Sequence, residues 1–515
     1  MVRTHDFLPV AVGAVLTVPI VAAALSAFGL LPWAALLLGA LLVGIVFFAA
    51  RERMAQALAL PEGKGRVVFA AIGVLAAVRL WGLAWFMMDS AHAELSVLWF
   101  DPFYIRHSCF SSLYLSAKLA MEHAPNPYQS ELYDTDLYKS FLGRFTMDEF
   151  LYPSPFMLLP RVGLAITKSF MTLRAAWFAI EAATFGAAVV IVAKWIGGEN
   201  GRRALFLAPA LFLATPVLLT LQIGNFQLAA IAMTMLALVA FESKKNVAGG
   251  ALLGFALFKI FPGIVLIPLA IQRRWKAVAW TAGFSALYTA LSVAWMGQTP
   301  LRQFLGYGLP RITKGEAWSF LELDIPIIHE VVAINQGIPG LALKLHDLGA
   351  RIAMHDSVQR VSMVYSVIVV ALAVVVGFRL ARPSPPAPLP AARGEGGRRP
   401  GEGLDRLTRA QLWIALIALA ALRSPFVPDT YALPPVLWLW SLVMPRFWEK
   451  PLGLALLWIP LSIVLPFEGP LAPIGSARLF LGFIVQSFAL AFTGALLLPR
   501  SARPVTDLIQ EPVQS

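Results

Sequence analysis

The residues able to do chemistry gather in two long polar segments, 89–154 and 297–357. The first opens on Asp89 and continues through Trp99-Phe-Asp101-Pro-Phe-Tyr-Ile-Arg106-His107-Ser-Cys109. A carboxylate or imidazole at the mouth of a cavity can take the proton of an attacking hydroxyl. Asp101, Asp89 and His107 are the candidates, and each competes with a plainer reading as a solvated loop residue or helix cap. Lys259 stands alone in Phe258-Lys-Ile-Phe-Pro262, inside an apolar stretch. A lone ammonium at bilayer depth is costly and therefore points to function. A lipid-linked phosphate suits its compact charge; snorkelling, or pairing with Glu181, is the alternative. Gln222-Ile-Gly224-Asn225-Phe-Gln227 interrupts two apolar runs. Amides offer donor and acceptor together, which is what a sugar hydroxyl requires. Asn335-Gln336 reads the same way, and Arg423-Ser-Pro425 with Asp429 and Tyr431 forms another polar turn. Each of these could instead be a capped turn between helices. The histidines lack HExxH or comparable spacing, so no metal and no cofactor are expected. The single cysteine, Cys109, excludes an intrachain disulfide and reads as an inert loop thiol.

These groups need a scaffold, and composition dictates which kind. The 515 residues are 58% hydrophobic and 14% charged, whereas a soluble domain is about half apolar and about a quarter charged. Segments such as 10–28, 30–50, 67–88 and 358–380 are nearly unbroken apolar runs long enough to cross a bilayer as helices. Inside lipid the backbone must satisfy its own hydrogen bonds, and the absence of two-residue alternation rules out a barrel. The expectation is an all-α polytopic membrane protein with about 12–14 transmembrane helices and two long extracytoplasmic loops. The net charge of +12 reflects Lys and Arg collected in short loops, as the positive-inside rule requires. Membrane lipids are therefore the expected surroundings, and nucleic acid is not an expected partner.

Segment 1–66 reads as an N-terminal transmembrane hairpin, its first helix uncleaved, plus a basic cytoplasmic loop. Segment 67–382 is the core that carries both outer loops. Within the first loop, 112–123 is amphipathic and suits a helix lying on the membrane surface. The piece 247–272 has basic residues on both flanks and predicts a hairpin of two short helices bent near Pro262. Segment 383–408 is rich in Pro, Gly and Arg and reads as a disordered cytoplasmic spacer. Segment 409–515 supplies the last spans and the tail. This topology puts six of the seven histidines outside the cytoplasm, so reactive groups concentrate on one side of the membrane.

The order of short motifs adds a second argument. Asn126-Pro-Tyr128, Tyr152-Pro-Ser-Pro155, the 222–227 turn, Lys259-x-x-Pro262 with Arg273-Arg-Trp275, Asn335-Gln336 and Ser424-Pro425 follow one another. This arrangement, over roughly 89–450, resembles the polyprenyl-phosphate-sugar-dependent glycosyltransferases of the GT-C superfamily, most closely glycosyltransferase family 87, the alpha-1,2-mannosyltransferase-like membrane proteins. The resemblance implies transfer of a hexose or pentose, mannose-like, from a polyprenyl-phosphate donor to an extracytoplasmic glycan or glycolipid acceptor. It implies a bacterial inner-membrane protein with its active site facing outside. Asp101 would then deprotonate the acceptor, with Asp89 and His107 beside it, while Lys259, Arg106 and Arg423 would hold the donor phosphate. Gln222, Asn225, Gln227, Tyr128, Tyr152, Asn335, Gln336 and Asp429 would bind sugar or acceptor. The family's first-loop aspartate would align near Phe110, where this chain has no acid, and Pro428-Asp429-Thr-Tyr431 stands where relatives carry Trp and His. A flippase for a lipid-linked glycan would instead need a polar path through the bundle, and most spans lack acids. A non-catalytic relative or scaffold is the other alternative.

Overall fold

The computed structural model describes residues 7–57, 65–132, 134–323, 326–351, 354–381, 404–448, 451–468 and 476–497. The expected disordered spacer falls almost wholly outside them, as do the C-terminal tail and the side chain of His355. The described chain is helical throughout and has no β-strand, only an isolated bridge between Asn335 and Pro428.

Seven helices among the described residues are long and apolar enough to cross a membrane, or eight when the bent pair Gly198–Leu213 and Thr215–Ile223 is taken as one span. This is fewer than the twelve to fourteen expected. The difference lies in length. Gln227–Glu242, Arg406–Ala421 and Asp429–Val443 are 16, 16 and 15 residues long, so each rises about 24 Å at most, short of a hydrocarbon core of about 30 Å. Two of them are interior. Every residue from 410 to 421 is buried, and so are almost all of 429–443. A helix shielded by other helices need not match the bilayer thickness itself. Pro32–Ala57 and Met354–Ala381 instead leave Leu37, Leu41, Phe48, Met363, Val367 and Phe378 exposed, as lipid-facing helices do.

The N-terminal hairpin packs onto the core, with Leu8–Ser26 touching Pro32–Ala57, Gly65–Met88 and Phe170–Ile196. Ser169 starts the last of these by accepting from the Thr172 amide at 3.3 Å, and Gly197 ends it at φ 69°. The segment 246–271 forms two short helical pieces, Asn246–Ala256 and Leu266–Ile271, each extended by a 3₁₀ turn toward a break at Ile260. Ile260 sits at φ 70°, ψ −61°, the strained γ-turn conformation rarely adopted by a β-branched residue. Pro262 follows and opens the second 3₁₀ turn. Near Pro262 the helix is broken at Ile260, and Lys259 is the last residue before the break.

One expectation about the first loop is overturned. Phe110–Met121 does not lie on a surface: ten of its twelve residues are buried. The polar residues that make it look amphipathic are Ser111, Ser112 and Ser116, whose hydroxyls fold back onto carbonyls three residues earlier. A serine satisfied in this way can be buried at little cost.

Candidate active site

The site starts from Gly224. It ends helix Thr215–Ile223 in the left-handed region, at φ 69° and ψ 35°. A Cβ there would stand 3.0 Å from Phe110 Cβ and 3.3 Å from Trp177 Cδ1. Trp177 Nε1 donates to the Gly224 carbonyl at 3.0 Å. Only glycine satisfies both the conformation and the close approach. The turn so fixed presents Asn225. Its Oδ1 accepts from Lys259 Nζ at 2.7 Å and from the Gln227 amide at 3.1 Å, and its Nδ2 lies 3.4 Å from the Tyr152 hydroxyl. Lys259 also donates to the Tyr152 oxygen at 2.6 Å, with its ammonium 4.3 Å from that ring and 5.9 Å from the ring of Tyr431. Burial pushes the Tyr152 hydroxyl well up, so it remains a neutral acceptor. Lys259, Asn225 and Tyr152 thus form a clamp built from three distant stretches of sequence.

Facing the clamp is a group of first-loop residues. Thr146 N donates to the Arg106 carbonyl at 2.9 Å, and Asp148 N donates to Ser111 Oγ at 3.0 Å. These two bonds lay 146–148 along the start of helix Phe110–Met121. Asp148 then meets His107 and Cys109: their ligand atoms lie within 4.8 Å of one another. His107 Nε2 is 3.4 Å from Cys109 Sγ, and Cys109 Sγ is 2.8 Å from the Tyr431 hydroxyl. The His107 ring stacks on Phe103 at 4.9 Å. Asn225 hydrogen-bonds Cys109 as well, which joins this group to the clamp. Cys109, Glu181 and Asp148 all lie within electrostatic reach of the Lys259 ammonium. Burial lowers the His107 imidazole below its ordinary value, opposed by the charge of Asp148. Burial, then Asp148, pushes the Cys109 thiol well up. Cys109, read from the sequence as an inert loop thiol, is buried and contacts His107, Tyr431 and Asn225.

The remaining expected residues fall in three places. Asp101 is fully buried and caps helix Pro102–Arg106. One of its oxygens accepts from Phe103 N at 3.0 Å and the other from Phe467 N. Burial raises its carboxyl, and the backbone amides of Phe467, Glu468, Phe103 and Tyr104 pull it back. Gln222 is also a fully buried tie, accepting from Val97 N at 2.7 Å and donating to the Tyr104 carbonyl at 2.8 Å. Tyr128 is buried between Phe150 and Phe304, its hydroxyl unpartnered. Two residues join the second loop to the turn before the last helices, where Asp429 also lies. Asn335 accepts from Gly337 N and Val427 N and donates to the Pro425 carbonyl at 2.7 Å. Gln336 N donates to the Val427 carbonyl at 2.7 Å, while its side-chain oxygen is buried without a partner. Asp429 is buried and accepts from Thr430 N. The last group lies at exposed positions. Asp89 accepts from Ala91 N beside His92, Arg106 lies 3.7 Å from Glu468, and Arg423 donates to Ser366 Oγ at 2.7 Å.

Two residues that the motif reading passed over also matter. Asp148 is half-exposed beside His107 and Cys109; its nearness to Tyr152-Pro153 was the available signal. Arg174 is fully buried, donating to the Phe86 and Gln222 carbonyls, with its guanidinium 4.3 Å from the Phe145 ring. Its position one helical repeat before Glu181 puts both on the inner face of Phe170–Ile196. Glu181 is fully buried with neither carboxylate oxygen hydrogen-bonded.

Residues 150–393 match the model of glycosyltransferase family 87, just under half of the chain. The matched stretch contains Tyr152, Asn225, Lys259 and Asn335 and begins two residues after Asp148. The matched stretch lies within the 89–450 over which the motifs resemble that family. No curated protein and no solved structure matches the chain.

Proposed function

We propose that this chain is a membrane glycosyltransferase of the GT-C-like, family 87 kind, and that its donor is a polyprenyl-phosphate sugar, a hexose or pentose of mannose type. The acceptor is a hydroxyl of a glycan or glycolipid outside the cytoplasm of a bacterial inner membrane. The observation that carries the reading is the clamp. A single ammonium, held by Tyr152 and Asn225 at the break between two short apolar helices, lies within electrostatic reach of the first-loop carboxylate Asp148, which stands beside His107.

The chemistry is one displacement at the anomeric carbon. Asp148 takes the proton of the acceptor hydroxyl as its oxygen forms the new bond to that carbon. The bond from the anomeric carbon to the phosphate oxygen breaks, and polyprenyl phosphate leaves with one more negative charge than the donor carried. Lys259 is positioned to stabilise that developing charge. A phosphate leaving group needs no proton, so one carboxylate suffices, unlike the pair used in glycoside hydrolysis. Asp101, the other first-loop candidate, already spends both oxygens on backbone amides, which fits it better to holding the loop in place. Asn225 and Tyr152 would orient the sugar, and Gln227, Asn335, Gln336, Tyr128 and Asp429 would shape the acceptor side. Arg106 and Arg423 are exposed and would meet the donor headgroup only from the rim.

The test is transfer of label from radiolabelled polyprenyl-phosphate mannose in membranes carrying wild type, Asp148→Asn, Asp101→Asn or Lys259→Ala. Label should move to a new lipid or glycan in wild type and be lost in the Asp148 and Lys259 variants. If mannose does not move, envelope glycans compared by mass spectrometry with and without the protein identify the sugar. Unchanged glycans in that comparison would sink the proposal.

A further inference from the structure

The first-loop cluster is equipped for a second chemistry that the transfer reaction does not use. His107 Nε2, Cys109 Sγ and an oxygen of Asp148 lie within 4.8 Å of one another. Imidazole, thiolate and carboxylate are the three side-chain ligand types of zinc. On a tetrahedral zinc, nitrogen and sulfur ligands at their usual bond lengths stand about 3.6 Å apart. His107 Nε2 and Cys109 Sγ are 3.4 Å apart. The carboxylate need approach by no more than about 1.5 Å to complete such a site, and a half-exposed side chain can make that adjustment through its own torsions. The supports are already in place: Phe103 stacks on the His107 ring, and Ser111 Oγ accepts from the Asp148 amide. The Tyr431 hydroxyl, 2.8 Å from Cys109 Sγ, can donate to the thiolate.

We propose that His107, Cys109 and Asp148 form a binding site for a soft divalent cation of the zinc class. A dication with one thiolate, one carboxylate and a neutral imidazole carries no net charge, so its presence does not repel Lys259. Its consequence for catalysis rests on the role given above to Asp148. A carboxylate bound to zinc cannot take the acceptor's proton, so the occupied site is the inhibited one.

The experiment uses the purified full chain and cobalt(II) as the spectroscopic probe for zinc. One equivalent should bind, with a thiolate-to-cobalt charge-transfer band and the strong visible bands of a four-coordinate ion, and zinc should displace it. Cys109→Ser keeps a hydroxyl to meet Tyr431 but should abolish the charge-transfer band. His107→Ala and Asp148→Asn should each weaken cobalt binding at least about tenfold. Zinc should raise the thermal midpoint of wild type and leave that of Cys109→Ser unmoved. Each variant's metal-free thermal midpoint establishes that it is folded. Cobalt that binds without a thiolate band, or binds equally well to the His107 and Asp148 variants, or does not bind, overturns the proposal. None of these outcomes depends on sugar transfer. Metal binding without inhibition would instead count against Asp148 as the base.

Discussion

Replacing Lys259 with methionine isolates the charge at the centre of the clamp. The side chain keeps its approximate length and apolar stem but loses the ammonium that donates to Tyr152 at 2.6 Å and to Asn225 at 2.7 Å. The structural cost should be small. Asn225 Oδ1 still accepts from the Gln227 amide, and the Tyr152 oxygen retains Asn225 Nδ2 within reach. Removing a half-buried charge also removes its desolvation penalty, so the thermal midpoint should hold or rise. The chemical cost should be large. A preorganised donor aimed at charge that develops in the transition state is worth about 3–4 kcal/mol, or about 10²–10³ in kcat. A full positive charge on a departing phosphate belongs at the upper end of that range. The assay follows initial rates of transfer from polyprenyl-phosphate sugar at saturating donor, beside a thermal-unfolding scan of the same preparation. A folded Lys259→Met protein working within about threefold of wild type would refute the reasoning, because 3 kcal/mol cannot shrink to about 0.7.

The other predictions separate positioning from chemistry. Asp148→Asn should cost about 10²–10⁴ in kcat with little change in thermal midpoint. Asp101→Asn should do the reverse, losing about 1–3 kcal/mol of stability because an amide accepts through only one of the two oxygens that Phe103 and Phe467 occupy; equal rate losses in both would merge the two roles. Gly224→Ala should lower stability by about 1–3 kcal/mol through its positive φ and the contact with Phe110, and should reduce transfer by displacing Asn225; a neutral result in both measurements would show the turn to be permissive. Lys344, buried in the second loop with its ammonium on Gln486, is pulled down to about 7 by burial, with Asp429 acting in the opposite direction. Between pH 7 and about 10.5 the unfolded chain holds the proton that the folded chain has released. Stability from this group is therefore greatest above that window and is lost as pH falls toward 7, by up to about 1.4 kcal/mol per pH unit. Lys344→Met should flatten the slope of thermal midpoint against pH, and an unaltered slope would mean that Lys344 does not titrate there.

Some of this architecture was written into the chain itself. A run of apolar residues long enough for lipid becomes a helix wherever it sits, because the backbone there has no other partner. Leu8–Ser26, Pro32–Ala57, Phe170–Ile196 and Met354–Ala381 could therefore be anticipated from composition. The polar turn at 222–227 and the bend after Lys259 were also legible, since Gly224 and Pro262 interrupt apolar runs in characteristic ways. What a polar residue does at such a place was not legible. Gln222 and Asn225 look alike in sequence, yet Gln222 ties Val97 to Tyr104 while Asn225 holds Lys259. Asp101 and Asp148 are both loop acids, and only the path of the backbone tells them apart. The bond from Asp148 N to Ser111 Oγ spans 37 residues and that from Phe467 N to Asp101 spans 366. Span formation is decided within one helix and can be read from a window of sequence. The meeting of His107, Cys109, Asp148, Asn225 and Lys259 is decided by hydrogen bonds between distant segments, and those exist only once the chain has packed.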